Sequence, residues 1–233
     1  FSNIIVPTID TVRYTHLLSS LLAIQEPVIF VGTSGTAKTV IIQNHLKQLA
    51  AEKPDTFNNL FINFSSRTSS LDTQRTLEDN LEKKIDAYAP FNNKRLNVFI
   101  DELNMPIVDK YGTQQPIALL KLLLELKGFY ERGKKSLDFK KVKDLQFIAA
   151  MAPPGGGRNS VDPRFLSKFS VINISFPSQD SLKKIYSTII SSHLEHFDDN
   201  VRVAGNQITN ITLKLYQMIV QKLPPTPSKF HYV

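Results

Sequence analysis

The chain has 233 residues, of which 42% are hydrophobic, and its formal net charge is +7 at pH 7. This length fits one large domain, or one domain with a small appendage, and suffices for a substantial core. The chain has no cysteine, which excludes disulfides and thiolate metal sites. Its longest apolar stretch, residues 117–126, is interrupted by Lys121 and Glu125. That stretch is well short of the ~20 residues of a membrane-spanning helix, so we expect no membrane association.

Five short apolar runs are spaced along the chain, with helical patterns between them. The runs are rich in Val, Ile and Phe, which is typical of strands that are covered on both faces. Their predicted bounds are residues 28–31, 60–64, 97–100, 146–151 and 171–176. Strands that alternate with helices predict right-handed crossovers and an α/β fold with a doubly wound parallel sheet.

Helical periodicity fills most of the gaps between these runs. Apolar residues at four-residue or similar spacing predict helices over residues 39–50 and 71–85. Pro116 suits the first position of a further helix, where its missing N–H is not needed.

The pattern changes after the fifth predicted strand. Ser178 is a suitable N-cap for a helix with an apolar stripe that includes Ile185. A second helix is predicted over residues 208–223 and ends at two prolines. We therefore assign residues 1–177 to a large α/β subdomain. Residues 178–233 are assigned to a small helical subdomain, of which we expect this chain to contain only a part.

Residues 32–39, with the sequence GTSGTAKT, follow the first predicted strand and open the next predicted helix. This setting is typical of a phosphate-binding loop, or Walker A motif. Small residues let the backbone fold around phosphate oxygens, and the helix N-terminus adds unpaired N–H donors. Lys38 is predicted to bridge the β- and γ-phosphates of a nucleotide, and Thr39 to contact Mg²⁺. A simple turn without a ligand is the alternative.

One position of this loop departs from the usual pattern. Ala37 stands where the consensus has a glycine before the lysine. Alanine accepts a helical backbone but disfavours a positive φ, so a near-helical residue 37 would cost little.

The third predicted strand ends in two carboxylates, Asp101 and Glu102. An acidic pair after a buried strand is the Walker B arrangement that accompanies a phosphate-binding loop. Asp101 is predicted to hold the hydration shell of Mg²⁺, which prefers oxygen ligands. Glu102 is predicted to orient and deprotonate the attacking water. Two solvated acids at a strand end are the alternative.

These features resemble the AAA+ class of P-loop proteins. We therefore expect a five-stranded parallel sheet with flanking helices, followed by the start of a small helical subdomain. In that class a polar residue often follows the fourth strand and contacts the γ-phosphate or the water. Ala152 occupies this position here, and the glycine-rich loop at residues 155–159 is a candidate substitute.

Arg164 is a candidate arginine finger for a neighbouring module, and a surface salt bridge is the alternative.

An apolar extended segment, Ile5-Val6-Pro7, precedes the first helical pattern and is expected to pack on adenine, with ordinary core packing as the alternative. The complete set of predicted nucleotide-contacting residues is Gly32, Thr33, Ser34, Gly35, Thr36, Ala37, Lys38, Thr39, Val40, Ile5, Val6, Pro7 and Ile185.

Longer blocks of the sequence resemble dynein heavy chains, and most closely the third AAA+ module of axonemal dyneins. The blocks are DELNMP at residues 101–106, YGTQQP at 111–116, GGGRN at 155–159, DPRF at 162–165 and SKFHY at 228–232. They are more specific than a phosphate-binding loop alone, and the resemblance extends over nearly the whole chain.

The resemblance implies a slow, regulatory ATPase module in a six-module ring that drives microtubule motion. It implies ATP or ADP with Mg²⁺ as ligands, and Arg164 acting on the site of the second module. The implied partners are neighbouring AAA+ modules of the same heavy chain and other dynein subunits. Microtubules are contacted only indirectly, because the stalk that binds them leaves from another module. The implied location is cytoplasmic, in the axoneme of a cilium or flagellum.

The basic segment at residues 132–143 leaves a second hypothesis open. It is typical of a hairpin that contacts DNA in the AAA+ ATPase of a nucleic-acid remodelling complex. Single-strand binders offer stacking aromatic rings, but we interpret Phe129, Tyr130 and Phe139 as core residues. A solvated surface is the favoured explanation of the charge, and we expect no specific nucleic-acid binding. A structural nucleotide clamp without turnover is the third hypothesis.

Overall fold

The computed structural model describes residues 5–132 and 138–223, so the SKFHY block and part of the basic segment lie outside the described residues. In chain order the elements are α1 (Ile9–Ala23), β1 (Val28–Val31), α2 (Lys38–Glu52), β2 (Phe57–Asn63), α3 (Ser70–Glu78), β3 (Leu81–Lys83), β4 (Tyr88–Pro90), a 3-10 turn (Phe91–Asn93), β5 (Arg95–Asp101), α4 (Gln115–Leu126), β6 (Gly128–Tyr130), β7 (Phe139–Lys141), β8 (Leu145–Met151), α5 (Pro163–Leu166), β9 (Ser170–Asn173), α6 (Gln179–His193) and α7 (Asp199–Lys222).

Five strands form one parallel sheet in the order β2-β5-β8-β1-β9. They are the five predicted strands with bounds shifted by a few residues, so the predicted α/β fold is confirmed. The central strands β1, β8 and β5 are buried on both faces, as their continuous apolar sequences require. Because parallel strands end at the same edge of a sheet, the loops that follow these three strands are neighbours.

The core lies between this sheet and the helices that cover it. Ile29 and Val98 from the sheet, Leu120 from α4 and Phe165 from α5 belong to one cluster, and each is at most 1% exposed. Complete burial of such a side chain contributes about 1.5–3 kcal/mol, so these contacts fix the helices on the sheet.

The predicted helix over residues 71–85 is wrong in its second half. Helix α3 ends at Glu78, and the chain continues into an antiparallel hairpin of β3 and β4. A helix through Leu81 and Ile85 would keep both on one face, but Leu81 is 8% exposed and Ile85 is 99% exposed. Asp79 and Asn80 follow α3 directly, and both are weak helix formers that favour turns.

The two C-terminal helices agree with the prediction in kind. The Ser178 hydroxyl accepts a hydrogen bond from the Ser181 N–H and caps α6 as expected. Helix α7 begins at Asp199, earlier than the predicted residue 208. The prediction missed this first part because Gly205, a weak helix former, lies within it. A Cβ at Gly205 would approach Leu194 Cδ1 to 2.5 Å, so the glycine permits close packing of α7 on the residue that ends α6.

The described residues fall into two compact units. Thr15–Ser175 form one unit, and the residues up to Tyr14 group with those from Phe176 onward in the other. The predicted subdomain boundary between residues 177 and 178 stays a prediction. In the part of the chain that the structure describes, no helix combines the length and the apolar character needed to cross a membrane.

The basic segment includes β7, which pairs with β6 in an antiparallel hairpin. Phe129 is buried as expected, but Tyr130 and Phe139 are 45% and 42% exposed, so their interpretation as core residues is wrong. Their rings pack edge to face with centroids 5.2 Å apart. Lys140 Nζ lies 3.1 Å from a carboxylate oxygen of Glu78 and 3.6 Å from one of Glu131. Part of the positive charge is therefore neutralised within the protein.

Candidate nucleotide-binding site

The predicted phosphate-binding loop connects β1 to α2, as the sequence indicated. A Cβ at Gly32 would approach the Ile174 carbonyl oxygen to 2.5 Å, so only glycine lets the loop pass this close to the end of β9. Gly35 has a φ of 82°, a conformation that favours glycine. Thr36 is 3% exposed, and its hydroxyl donates to the Thr33 carbonyl at 2.9 Å. The loop is thus held in shape by its own contacts.

Ala37, which directly precedes α2, has a left-handed backbone with φ 62° and ψ 19°. Alanine in place of glycine is expected to cost little free energy if residue 37 has a near-helical backbone. The left-handed conformation shows that this backbone is not near-helical. A left-handed residue with a Cβ costs about 1–2 kcal/mol. The usual glycine would avoid this strain, which the chain accepts at the point where the loop turns into the helix.

The Lys38 ammonium lies over the loop. Its Nζ donates to the carbonyl oxygens of Gly32 and Thr33, both at 2.8 Å. Partial burial lowers the pKa of Lys38, whereas the carboxylates of Glu102 and Asp101 act in the opposite direction. Bonds from an ammonium to phosphate oxygens are charge-assisted on both sides. A phosphate is therefore a stronger partner for Nζ than these two carbonyls.

The two residues predicted to hold Mg²⁺ are in direct contact. Thr39 Oγ1 donates to Asp101 Oδ2 at 2.7 Å, although 62 positions separate the two residues in the sequence. The other oxygen, Asp101 Oδ1, accepts the backbone N–H of Glu102 at 3.0 Å. A hydroxyl and a carboxylate at one place are the oxygen donors that Mg²⁺ prefers, so these residues fit the ion.

Glu102 is held by Arg158, a contact that was not predicted. Arg158 Nε lies 3.1 Å from Oε2 of Glu102, and Nη2 lies 3.2 Å from Oε1. Glu102 also has a left-handed backbone, with φ 51°. The sequence signal for this contact is the glycine-rich loop, a candidate substitute for a polar residue at position 152, but the sequence does not identify Glu102 as its partner.

Asn104 connects this loop to the segment that follows β5. Its side chain is fully buried and donates to the Ala152 carbonyl at 2.8 Å. The backbone carbonyl of Asn104 accepts the backbone N–H of Asn159 at 3.0 Å. The Pro106 carbonyl accepts the amides of Asn159 at 2.9 Å and Gln114 at 2.8 Å. The specific sequence blocks around these residues therefore have a structural role, which is to join three loops.

Arg164 lies on the surface in α5. The Asp162 carboxylate accepts the backbone N–H of Arg164 at 2.9 Å and pairs with Lys121 at 3.0 Å. The Arg164 guanidinium itself forms no ion pair or hydrogen bond with another residue in the described ranges. The Arg164 backbone N–H is the main cause of the lowered pKa of Asp162, and the positive charge of Arg164 adds to it. The finger role and the surface salt bridge both stay predictions.

The remaining predicted contacts are Val40, which directly follows the loop, and four residues that lie apart from it along the chain. Val6 is 7% exposed, and Ile5 is 37% exposed. Ile5, Val6, Pro7 and the half-buried Ile185 belong to the compact unit that excludes residues 15–175. Val40, on α2, is 47% exposed. A role for any of these residues in nucleotide binding stays a prediction.

The sheet order, the phosphate-binding loop after β1 and the acidic pair at the end of β5 define a P-loop nucleotide-binding domain of the AAA+ class. Residues 1–177 match the family described as the P-loop containing dynein motor region. The chain belongs to this family, which confirms the resemblance to dynein heavy chains.

Relatives share the similarity over the whole chain. It is 56% identical over 234 residues to dynein axonemal heavy chain 10 of Homo sapiens. It is 55% identical over 236 residues to the dynein-1-alpha heavy chain of the flagellar inner arm I1 complex of Chlamydomonas reinhardtii. It is 41% identical over 234 residues to dynein axonemal heavy chain 2 of Mus musculus. Each alignment covers 100% of this chain and 5% of the relative. Neither the nucleic-acid remodeller nor the structural clamp is favoured by these similarities.

We predict that Ala37→Gly stabilises the start of α2 by about 0.5–1 kcal/mol. Relief of the left-handed strain, about 1–2 kcal/mol, outweighs the freedom that glycine adds to the unfolded chain, about 0.4–1 kcal/mol. Hydrogen exchange of the amides in the first turn of α2 measures the effect. Ala50→Gly, in the helical part of α2, is the control and should reduce protection. Equal loss of protection in both variants would contradict the left-handed assignment.

Proposed function

We propose that this chain is the third AAA+ module of an axonemal dynein heavy chain, where it binds ATP or ADP with Mg²⁺. The observation that carries the proposal is the bond between Thr39 and Asp101, next to Lys38 in a loop shaped for phosphate. These groups come from two distant parts of the sequence, and they meet at the edge of the sheet where P-loop proteins hold nucleotides.

Each side chain has a distinct role in this proposal. Lys38 exchanges its carbonyl partners for the β- and γ-phosphates. Thr39 and Asp101 hold Mg²⁺, which would neutralise phosphate charge when bound. Glu102 orients and deprotonates the water that attacks the γ-phosphate.

Slow turnover is part of the proposal. Ala152 is 5% exposed and has no polar group to offer to the γ-phosphate or the water. Both carboxylate oxygens of Glu102 are bonded to Arg158, so this pair has to break before Glu102 can act as a base, which adds a step to turnover. A site that keeps its nucleotide for long periods can influence the motor by stabilising one conformation of the ring. It does so only if ATP and ADP favour different arrangements of the ring.

The surroundings of the module follow from the same proposal. The relatives are named as axonemal and flagellar heavy chains, which supports ATP-driven microtubule motility in the axoneme of a cilium or flagellum. Neighbouring AAA+ modules of the same heavy chain and other dynein subunits are the partners, and microtubules are reached only through other parts of the motor. The exposed Arg164 contacts the nucleotide of the second module in this arrangement.

Lys38→Ala is predicted to abolish nucleotide binding at this site. The variant removes the only cation bonded to the phosphate-binding loop among the described residues. The measurement is photolabelling of the intact heavy chain with azido-ATP, quantified on peptides from this segment. Lys47→Ala, an exposed lysine on the same helix, is the matched control and should label normally. Undiminished labelling of Lys38→Ala would refute the assignment of the phosphate-binding loop.

Glu102→Gln is predicted to bind ATP at least as tightly as the wild type and to block turnover at this site, because the amide cannot accept the proton of the water. General-base catalysis contributes roughly 10²–10⁴-fold, which sets the expected loss of turnover here. In the full motor we expect slower microtubule gliding and slower release from microtubules, with the main ATPase site intact.

Glu52→Gln, at the exposed end of α2, is the control for this substitution and should leave both rates unchanged. If Glu102→Gln itself gives wild-type gliding and release, the site does not gate the motor and acts as a structural clamp.

A further inference from the structure

The pair of Glu102 and Arg158 differs from an ordinary surface salt bridge. Both carboxylate oxygens and two guanidinium nitrogens take part, at 3.1 and 3.2 Å, and the Arg158 side chain is only 15% exposed. Paired hydrogen bonds between a guanidinium and a carboxylate are strong and directional, whereas exposed pairs contribute little. The structure thus places a well-formed ion pair on the residue predicted to act as the base.

The loop that carries Arg158 forms a hydrogen-bonded tight turn. Gly155 and Arg158 exchange two backbone hydrogen bonds, at 3.0 and 3.1 Å. The two residues between them, Gly156 and Gly157, have φ values of 57° and 85°. Positive φ at both central residues is the pattern of a tight two-residue turn and strongly favours glycine. The three glycines therefore allow the chain to reverse direction directly before Arg158.

The same loop is fastened to the segment that follows Glu102. Asn159, adjacent to Arg158, donates its backbone N–H to the Asn104 carbonyl at 3.0 Å and its side-chain amide to the Pro106 carbonyl at 2.9 Å. Arg158 and Glu102 are thus held within reach of each other by the backbone. Reorientation of the Arg158 side chain is enough to break the pair, with no movement of the loop.

Arg158 also lies close to the predicted phosphate position. Arg158 is bonded to Glu102, which directly follows Asp101 in the chain. Asp101 in turn accepts the hydroxyl of Thr39, the residue next to Lys38. These contacts place the Arg158 guanidinium beside the predicted position of the γ-phosphate. A γ-phosphate bound beside Lys38 would compete with Glu102 for Arg158, since a guanidinium fork suits phosphate and carboxylate alike.

We propose that Arg158 is the γ-phosphate-sensing residue of this site, taking the place of the polar residue that Ala152 lacks. Without a γ-phosphate, the guanidinium holds Glu102. With ATP, it turns to the γ-phosphate and releases the Glu102 carboxylate to accept a proton from water. The inference rests on the proposed nucleotide-binding function and explains how this site distinguishes ATP from ADP, because only ATP offers the competing group.

Nucleotide affinity of the intact heavy chain tests this assignment. Azido-ATP and azido-ADP are titrated separately, and photolabelling is quantified on peptides from this segment. Hydrogen bonds to charged groups contribute about 1.5–3 kcal/mol, so Arg158→Ala should weaken ATP binding about 10–100-fold. ADP binding should change by less than about threefold, a difference typical of a side chain that makes no new bond. Arg158→Lys, which keeps the charge without the fork, should give an intermediate loss for ATP only.

Arg75→Ala, which removes an exposed arginine on α3, is the control for loss of charge and should bind both nucleotides normally. Hydrogen exchange of the peptide spanning residues 155–159 shows whether the loop keeps its turn. Normal protection with a selective loss of ATP affinity supports the assignment. Equal weakening of ATP and ADP, in Arg158→Ala and in Arg158→Lys, overturns it and makes Arg158 a structural residue.

A double-mutant cycle tests the competition itself. Glu102→Gln removes the charge that holds Arg158, so this variant should bind ATP several-fold more tightly than the wild type, within the range of coupling energies of contacting residues. Adding Arg158→Ala should abolish that gain. A gain that persists in the double variant overturns the proposed competition. Absence of labelling by either nucleotide in the wild type would instead refute the nucleotide-binding function on which the inference rests.

Discussion

Strands β1, β8 and β5 are buried on both faces, so their backbone N–H and C=O groups have to pair with one another. The resulting register places Ala149 of β8 between Ile29 of β1 and Ile100 of β5. All three strands run in the same direction and end within a few residues of this level. The phosphate-binding loop, the acidic pair and the glycine-rich loop therefore start side by side. Every contact of the candidate site depends on this constraint.

The fold was predictable where one local pattern has one structural solution. The five apolar strands and the phosphate-binding loop belong to this class, because continuous Val, Ile and Phe runs between helices fit only a covered parallel sheet. The prediction failed where a pattern has two solutions. Leu77 and Leu81 are four positions apart and both are buried, yet Leu77 belongs to a helix and Leu81 to the first strand of a hairpin.

The candidate site shows the same division. Lys38, Thr39 and Asp101 were identified from short motifs, and the structure brings them together. Glu102 and Arg158 are 56 positions apart in the sequence. The geometry of their ion pair depends on the turn at Gly156 and Gly157, and the sequence around Glu102 contains no signal for that turn. The conformation of Ala37 was equally inaccessible. Alanine favours a helix, and the left-handed backbone is imposed by the path of the loop rather than by the residue.

Strain and charge act together in this site. Ala37 and Glu102 both have a left-handed backbone, and such residues cost about 1–3 kcal/mol each and persist only where their surroundings fix them. One directly precedes Lys38, and the other is the predicted base. Around them the cations Lys38 and Arg158 influence the same small region as the carboxylates of Asp101 and Glu102. The two cations and the two carboxylates therefore nearly cancel in charge.

A bound triphosphate upsets that balance at one end, because its terminal phosphate adds negative charge where Lys38 and Arg158 can both respond. Lys38 has only partners within its own loop to exchange, the carbonyls of Gly32 and Thr33 and the Thr36 hydroxyl, so its response alters little else. Arg158 has to leave a carboxylate, so its response changes the state of Glu102. In such a site, the Arg158 side chain links the presence of the γ-phosphate to the availability of the Glu102 carboxylate as a base. The fastened loop around Asn159 keeps the backbone in place while it does so.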